Sequence, residues 1–145
     1  MPTEPSANAD PAETTHKVVV GVDGSDNAMR ALDWAAAQAD HTGAVLEIQT
    51  AYEPGYVFVT QDEIKRSMEQ TVGRAVARVA ELAPRVVTRS ATHEQSPAKA
   101  LIEASEGADL LVVGSRGLSG FAGLVLGSVS QKCCLHARCS LAIIR

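Results

Sequence analysis

Positive charge is not in surplus in this chain: 13 Lys and Arg stand against 17 Asp and Glu, a formal charge of −4, and the basic residues are scattered. A basic stripe able to neutralise a phosphate backbone is therefore missing, and nucleic acid is not an expected partner. Long apolar runs are missing too. None approaches the roughly 20 residues that span a bilayer, and the N-terminus has neither the basic region nor the apolar core of an export signal. No membrane partner and a cytoplasmic location are the expectations. Cysteine is scarce: Cys133, Cys134 and Cys139 form no even, spread framework, and a vicinal pair bridges badly, so free thiols in a reducing compartment are expected. Aromatics make up 3% of the residues, and Trp34 and Tyr52 stand singly without a chemical role. Two well-known phosphate motifs are lacking as well: there is no GxxxxGK[ST], and the first apolar run turns through "GVDGSD", not GxGxxG.

What the chain has instead is an alternation of apolar runs and helical periodicity. Its 145 residues, 46% hydrophobic, suit one compact domain. The first 16, "MPTEPSANADPAETTH", hold no large aliphatic after Met1 and read as a disordered tail, leaving 17–145 as the domain. "KVVVGVD" is a β-branched run typical of a strand buried on both faces, stopped by Asp23-Gly24-Ser25. In the next segment Ala28, Leu32, Ala35 and Ala39 keep helical spacing, with Ser25 or Asp26 as cap and Gly43 as terminator. "AVLEIQTAY" is a second strand. Thr60 and Glu63 form a capping box ahead of Ile64, Met68, Thr71, Val72, Ala75, Val79 and Leu82, a long helix ended by Pro84. "RVVTRSA" reads as strand three, and Ser96-Pro97 opens helix three. "ADLLVVG" is strand four, "SVSQKCCLHA" helix four and "SLAIIR" strand five. Alternating strands and helices predict an α/β fold: one doubly wound, five-stranded parallel sheet with helices on both faces, Rossmann-like or flavodoxin-like, in strand order 3-2-1-4-5. Glu47 and Gln49 on one face of strand two predict that this face is only partly covered.

The stretch "VVGSRGLSGFAGLVLGSVSQK", 112–132, carries five glycines between strand four and helix four. In open α/β sheets ligands sit outside the carboxyl ends of strands, where this segment lies. Glycine permits positive φ and close approach of a ligand to the main chain, while free N–H groups and the helix dipole favour an anion, with phosphate the natural candidate. Ser128 and Ser130 can cap the helix or bond a phosphate oxygen, and Arg116 adds a cation. The competing reading is a flexible connection with Ser128 as an ordinary N-cap. Asp23 likewise has two readings: a carboxylate for ribose hydroxyls, or an Asx turn into helix one. "CCLHARC" could be taken for a metal cluster of Cys133, Cys134, His136 and Cys139, but Cys133 shares a helix face with Val129 and reads as core, so no metal ligand is assigned.

Gly114-Ser-Arg-Gly117, nine residues, then Gly127-Ser128 match the GxxG(x9)G[S/T] signature of the universal stress proteins, and "VVVGVDGSDNAMRALDWA" resembles their opening strand and helix. The resemblance runs from about Lys17 to Arg145 and is to the ATP-binding, single-domain type. It implies a stress-response role and a site for ATP or a related adenine nucleotide, with Mg. Gly21, Val22 and Asp23 would meet the nucleoside and Ala51 the adenine. Val113, Gly114, Arg116, Gly117, Gly127, Ser128, Val129 and Ser130 would meet ribose and phosphates. One departure is Gln95, in "EQSP", where many members have glycine, so a different lip to the pocket is expected.

Phosphoryl transfer needs metal ligands, a positioned nucleophile and strong charge stabilisation. Only Asp23, Arg116 and the serines are candidates, so a binding protein is expected over an enzyme and no catalytic residue is assigned. Slow ATP hydrolysis or autophosphorylation in the same pocket, binding of cyclic AMP, and a nucleotide-free interaction module are the alternatives. Strand five would be a sheet edge with aliphatic Leu141, Ile143 and Ile144 and only Arg145 charged, which invites pairing. A homodimer through residues 140–145 is the expectation, and the family resemblance implies the same.

Overall fold

A short β-branched run with no competing turn residue opens the fold: Lys17–Gly21 forms β1, with Val18, Val19 and Val20 all buried. The computed structural model describes residues 15–55, 59–117 and 126–145. Residues 1–14 of the segment read as a tail, and Gly120 and Gly123 of the glycine-rich stretch, lie outside the described residues. Helix α1, Asp26–Thr42, starts where Ser25 Oγ accepts the Ala28 N–H at 3.1 Å and stops at Gly43, whose φ of 72° suits glycine. Strand β2 is Val45–Tyr52. Helix α2, Gln61–Leu82, begins with the Thr60–Glu63 capping box, both halves of which form. Strand β3 is Thr88–Glu94, α3 Pro97–Ser105, β4 Leu110–Gly114, α4 Ser128–His136 and β5 Ser140–Ile144.

All four pairings are parallel, and the sheet order is β3-β2-β1-β4-β5. Period-two alternation assigns the two faces. Val18, Val20, Leu46, Ile48 and Val112 face α1 and α2, packing on Ala31, Leu32, Ala35, Ala75 and Val79. Val19, Leu111 and Val113 face α3 and α4, packing on Leu101 and Cys133. The alanines of α1 let that helix lie close to the sheet. Cys133 is fully buried, and burial pushes its thiol up to about 11, which makes it a core residue and not a nucleophile at neutral pH.

Strand three departs from the expected bounds. The sequence pattern puts it at 85–91, but the ladder starts at Thr88 and runs to Glu94. Chain leaving α2 first makes a turn, Val86 N–H to Ala83 carbonyl at 3.0 Å, so Arg85–Val87 are used in re-entry. The β-branched pair that suggested a strand is split: Val86 packs against the core and Val87 is exposed. The strand proper is a polar edge, which carries little apolar signal. On β2 the face of Glu47 and Gln49 is half covered at one residue and covered at the other: Glu47 is half-buried near Lys17 Nζ at 3.7 Å, and Gln49 is buried.

Candidate functional site

The carboxyl ends of β1, β2 and β4 open into a cavity of about 420 Å³, roofed by α3 and by the start of α4. That volume lies within the roughly 300–1,000 Å³ of small-ligand sites. The twelve residues singled out by sequence all line it: Gly21, Val22 and Asp23 from the β1 tip, Ala51 from β2, Val113, Gly114, Arg116 and Gly117 from the β4 end, and Gly127, Ser128, Val129 and Ser130 from the start of α4. Six further lining residues were not anticipated. Ala28, Gln49, Thr50, Pro97, Ala100 and Leu101 complete the wall, mostly from α3 and the inner part of β2. Apart from Gln49, already conspicuous as a polar residue on strand two, their apolar or small side chains look like ordinary core in the sequence, and nothing local marks them as pocket.

Three glycines of the site are small because something stands against them. A Cβ on Gly21 would come 2.7 Å from Leu101 Cδ1, on Gly114 2.6 Å from Asn27 Oδ1, and on Gly117 2.7 Å from Asp23 Oδ2. Positive φ, the other reason considered for these glycines, is not used: among the described residues it occurs at Gly24, Gly43, Gly55 and Gly107, and Gly127 sits at −76°. Close approach explains Gly21, Gly114 and Gly117, whereas a Cβ on Gly127 would make ordinary contacts, the nearest 3.4 Å from Arg116 Cα.

Asp23 forms the Asx turn and also lines the cavity. One oxygen accepts the Ser25 N–H at 2.9 Å, an Asx turn that leads into α1, while the other lies against Gly117 across the cavity mouth. The carboxylate therefore tethers the turn and stays beside the loop.

Two ends of the glycine-rich segment are drawn together by one carbonyl. Ser115 oxygen accepts the Gly127 N–H at 2.6 Å and is 3.0 Å from Ser130 Oγ, which is also 2.9 Å from the Gly127 carbonyl. Ser130 has a single hydroxyl proton and two carbonyls competing for it. Its hydroxyl therefore ties Ser115 to the start of α4, and what it offers an anion is its backbone N–H. Gly127, not Ser128, is the N-cap of α4, and no side chain caps the helix. The N–H groups of Ser128, Val129 and Ser130 have no intrahelical acceptor in the first turn, and the helix dipole adds partial positive charge there. Such an arrangement binds an oxyanion without a motif lysine.

Polar contacts also shape the base of the cavity. Gln49 Oε1 is 2.5 Å from His93 Nε2, and Gln49 Nε2 is 3.4 Å from Glu47 Oε2. At the lip, Gln95 Nε2 donates to Glu103 Oε2 at 3.2 Å, folding its side chain back onto α3. Asp23 and Arg116 are the charged side chains among the described lining residues. Among the described residues no group of three or more His, Cys, Asp or Glu side chains is gathered to hold a metal. No described helix is long and apolar enough to cross a membrane.

The Universal stress protein family model matches residues 14–145. The universal stress protein in the QAH/OAS sulfhydrylase 3′ region of Thermus aquaticus is 35% identical over 133 residues, covering 88% of this chain and 97% of the relative. Among solved structures, a universal stress protein in complex with cAMP is 31% identical with a TM-score of 0.68, over 90% of this chain and 97% of the other. The universal stress protein from Archaeoglobus fulgidus has the same fold, with a TM-score of 0.73 at 23% identity over 90% of this chain and 98% of that one. With nearly its whole described length matched in both sequence and fold, the chain belongs to the universal stress protein family.

Proposed function

We propose that this protein is a nucleotide-binding regulatory protein that takes ATP or a related adenine nucleotide into the cavity and acts in a cytoplasmic stress response. The observation that carries the reading is the uncapped start of α4 opening into a cavity whose other wall is apolar. Phosphate oxygens fit the N–H groups of Ser128, Val129 and Ser130, with Arg116 beside them. The base fits against Ala51, Val22, Pro97 and Leu101, and ribose hydroxyls fit Asp23. A solved relative of 31% identity holds an adenine nucleotide, cAMP, which supports the class of ligand. Mg²⁺ would be carried by the phosphates with at most one protein carboxylate, Asp23, and that sparse donor set suits a metal bound mainly through its nucleotide.

A slow ATPase or autophosphorylating enzyme is the second reading. It requires a base beside the γ-phosphate, and the described lining has one carboxylate, which already holds an Asx turn. Binding is therefore preferred over turnover. Two copies are proposed to associate through β5, residues 140–145. Mass spectrometry of nucleotide that copurifies with the protein, followed by titration calorimetry with ATP, AMP and cyclic AMP, tests the reading. Micromolar or tighter binding of one of them is expected, and phosphate release with excess Mg-ATP below one turnover per minute. No binding of any of the three would refute the function, and fast turnover would replace it with the enzymatic one.

A further inference from the structure

One buried side chain outside the cavity lining joins three separate parts of the fold. Asn27, in the first turn of α1 and 8% exposed, accepts the Arg116 N–H at 2.7 Å through Oδ1, with Ser115 Oγ 3.4 Å from the same oxygen. Its Nδ2 donates to the Ile144 carbonyl at 3.1 Å. That carbonyl, at the end of β5, also accepts the Ser115 N–H at 2.7 Å. A ring of hydrogen bonds thus runs from Arg116 through the Asn27 amide to Ile144 and back through Ser115. The packing around it is tight, since Gly114 has no room for a Cβ beside Asn27 Oδ1.

The chemistry of the ring requires an amide. A backbone donor on one side and a backbone acceptor on the other admit a single orientation of the Asn27 head, with oxygen toward Arg116 and nitrogen toward Ile144. Aspartate would keep the first bond and set a carboxylate against a carbonyl at the second. Alanine would lose both. Ser115, whose carbonyl gathers Gly127 and Ser130, is thereby held from its N–H and hydroxyl sides as well.

We infer that Asn27 is a positioning residue for the nucleotide, setting the Ser115–Arg116 turn against the start of α4, and that it links occupancy of the cavity to the order of β5. The inference rests on the nucleotide reading above. Any ligand that draws on Arg116 or on the first turn of α4 changes the strain on this ring, and the ring ends on the last residue of the edge strand. Coupling of this kind is reciprocal: what orders β5 also tightens the loop.

The full chain is compared as wild type, Asn27→Ala, Asn27→Asp and, as a control that loosens the core between α1, α2 and the sheet without touching the ring, Val79→Ala. Each is titrated with whichever of ATP, AMP and cyclic AMP binds wild type most tightly. Hydrogen–deuterium exchange of peptides covering 140–145 is followed with and without that nucleotide. Wild type is expected to slow its exchange at least threefold on binding. Asn27→Ala should lose tenfold or more in affinity, although its side chain does not line the cavity, while Val79→Ala stays within twofold. Asn27→Asp, which keeps the bond to Arg116 and loses the one to Ile144, should show no nucleotide-dependent change at 140–145. Should Asn27→Ala fail to fold, Asn27→Asp decides. Affinity within twofold in folded Asn27→Ala, an equal loss in Val79→Ala, or intact protection of 140–145 in Asn27→Asp overturns the inference and leaves the nucleotide reading standing. Absence of binding to wild type overturns that reading and this inference with it.

Discussion

At the scale of single residues, Ser128 and Ser130 have opposite duties although they lie two positions apart. Ser130 is buried, with its hydroxyl committed to carbonyls, whereas Ser128 opens α4 with a hydroxyl that caps nothing. Ser128→Ala is therefore expected to leave thermal stability within about 0.5 kcal/mol of wild type and to cost about 1 to 3 kcal/mol of nucleotide affinity, the span from an ordinary hydrogen bond to one with a charged group. Thermal unfolding and calorimetry on the same preparation separate the two quantities. A loss of stability with unchanged affinity would make the hydroxyl a helix cap after all. Gly127 gives a second prediction. Its Cβ would stand 3.4 Å from Arg116 Cα and 3.5 Å from Ser115 oxygen, ordinary contact distances, so a methyl fits without shifts, whereas the two further methyls of valine would have to find room beside the Ser115–Gly117 backbone. Gly127→Val should weaken nucleotide binding more than tenfold in a variant that still folds. Unchanged affinity by titration would put the phosphates elsewhere.

At the scale of elements, the starts of β1 and β4 are fastened by Asp109. Its carboxylate accepts the Lys17 N–H at 2.7 Å, its own N–H donates to the Lys17 carbonyl at 2.9 Å, and His16 Nδ1 lies 3.4 Å away. The Lys17 backbone bond, aided by His16, holds the carboxyl below its ordinary 3.8 despite some desolvation. A carboxyl depressed in the folded state stabilises the fold above its unfolded-state value, and that contribution disappears as pH falls through the folded one. Asp109→Asn should therefore be less stable than wild type near pH 7, and the gap should narrow progressively as pH falls below about 4. With 54% of the side chain exposed, the gap should stay under about 1 kcal/mol. Denaturant melts at pH 7 and pH 3 measure it, and a gap of equal size at both would assign the effect to packing.

Elements were the most legible level of this protein, for reasons that differ between them. β1 and β4 are short runs of buried β-branched and aliphatic residues, and α2 announces itself with a capping box, so local rules suffice. β3 was displaced by three residues because an edge strand of Thr, Arg, Ser and Glu has no apolar period to read. The glycine pattern located the cavity, since close approach to a strand end demands a missing Cβ. Asn27 was invisible for a physical reason: its partners Arg116 and Ile144 lie 89 and 117 residues away, and a polar residue in the first turn of a helix is unremarkable in local terms. Gln49 was visible as an oddity on β2, but its bond to His93 on the neighbouring strand depends on register.

At the scale of the whole molecule, the proposed association is the remaining prediction. β5 has Leu141, Ala142, Ile143 and Ile144 half-buried at the edge of the sheet, and among the described residues no strand neighbours it on the outer side. Light scattering at micromolar concentration should give about twice the chain's 15.2 kDa, and Ile143→Lys should shift much of the material to monomer. A monomeric wild type, or a dimer indifferent to that substitution, would require another interface.

The two margins of the sheet are chemically unlike. β3 presents Arg89, Ser90, Thr92 and Glu94 to water, whereas β5 is aliphatic along nearly its whole length. If two copies pair through β5 as proposed, the two aliphatic margins are consumed in that contact and neither is left to recruit a third copy by sheet extension. Growth by sheet extension would then terminate at the pair: the apparent mass should plateau with rising concentration, and a fibre would need the hydrated margin to be rewritten in apolar residues.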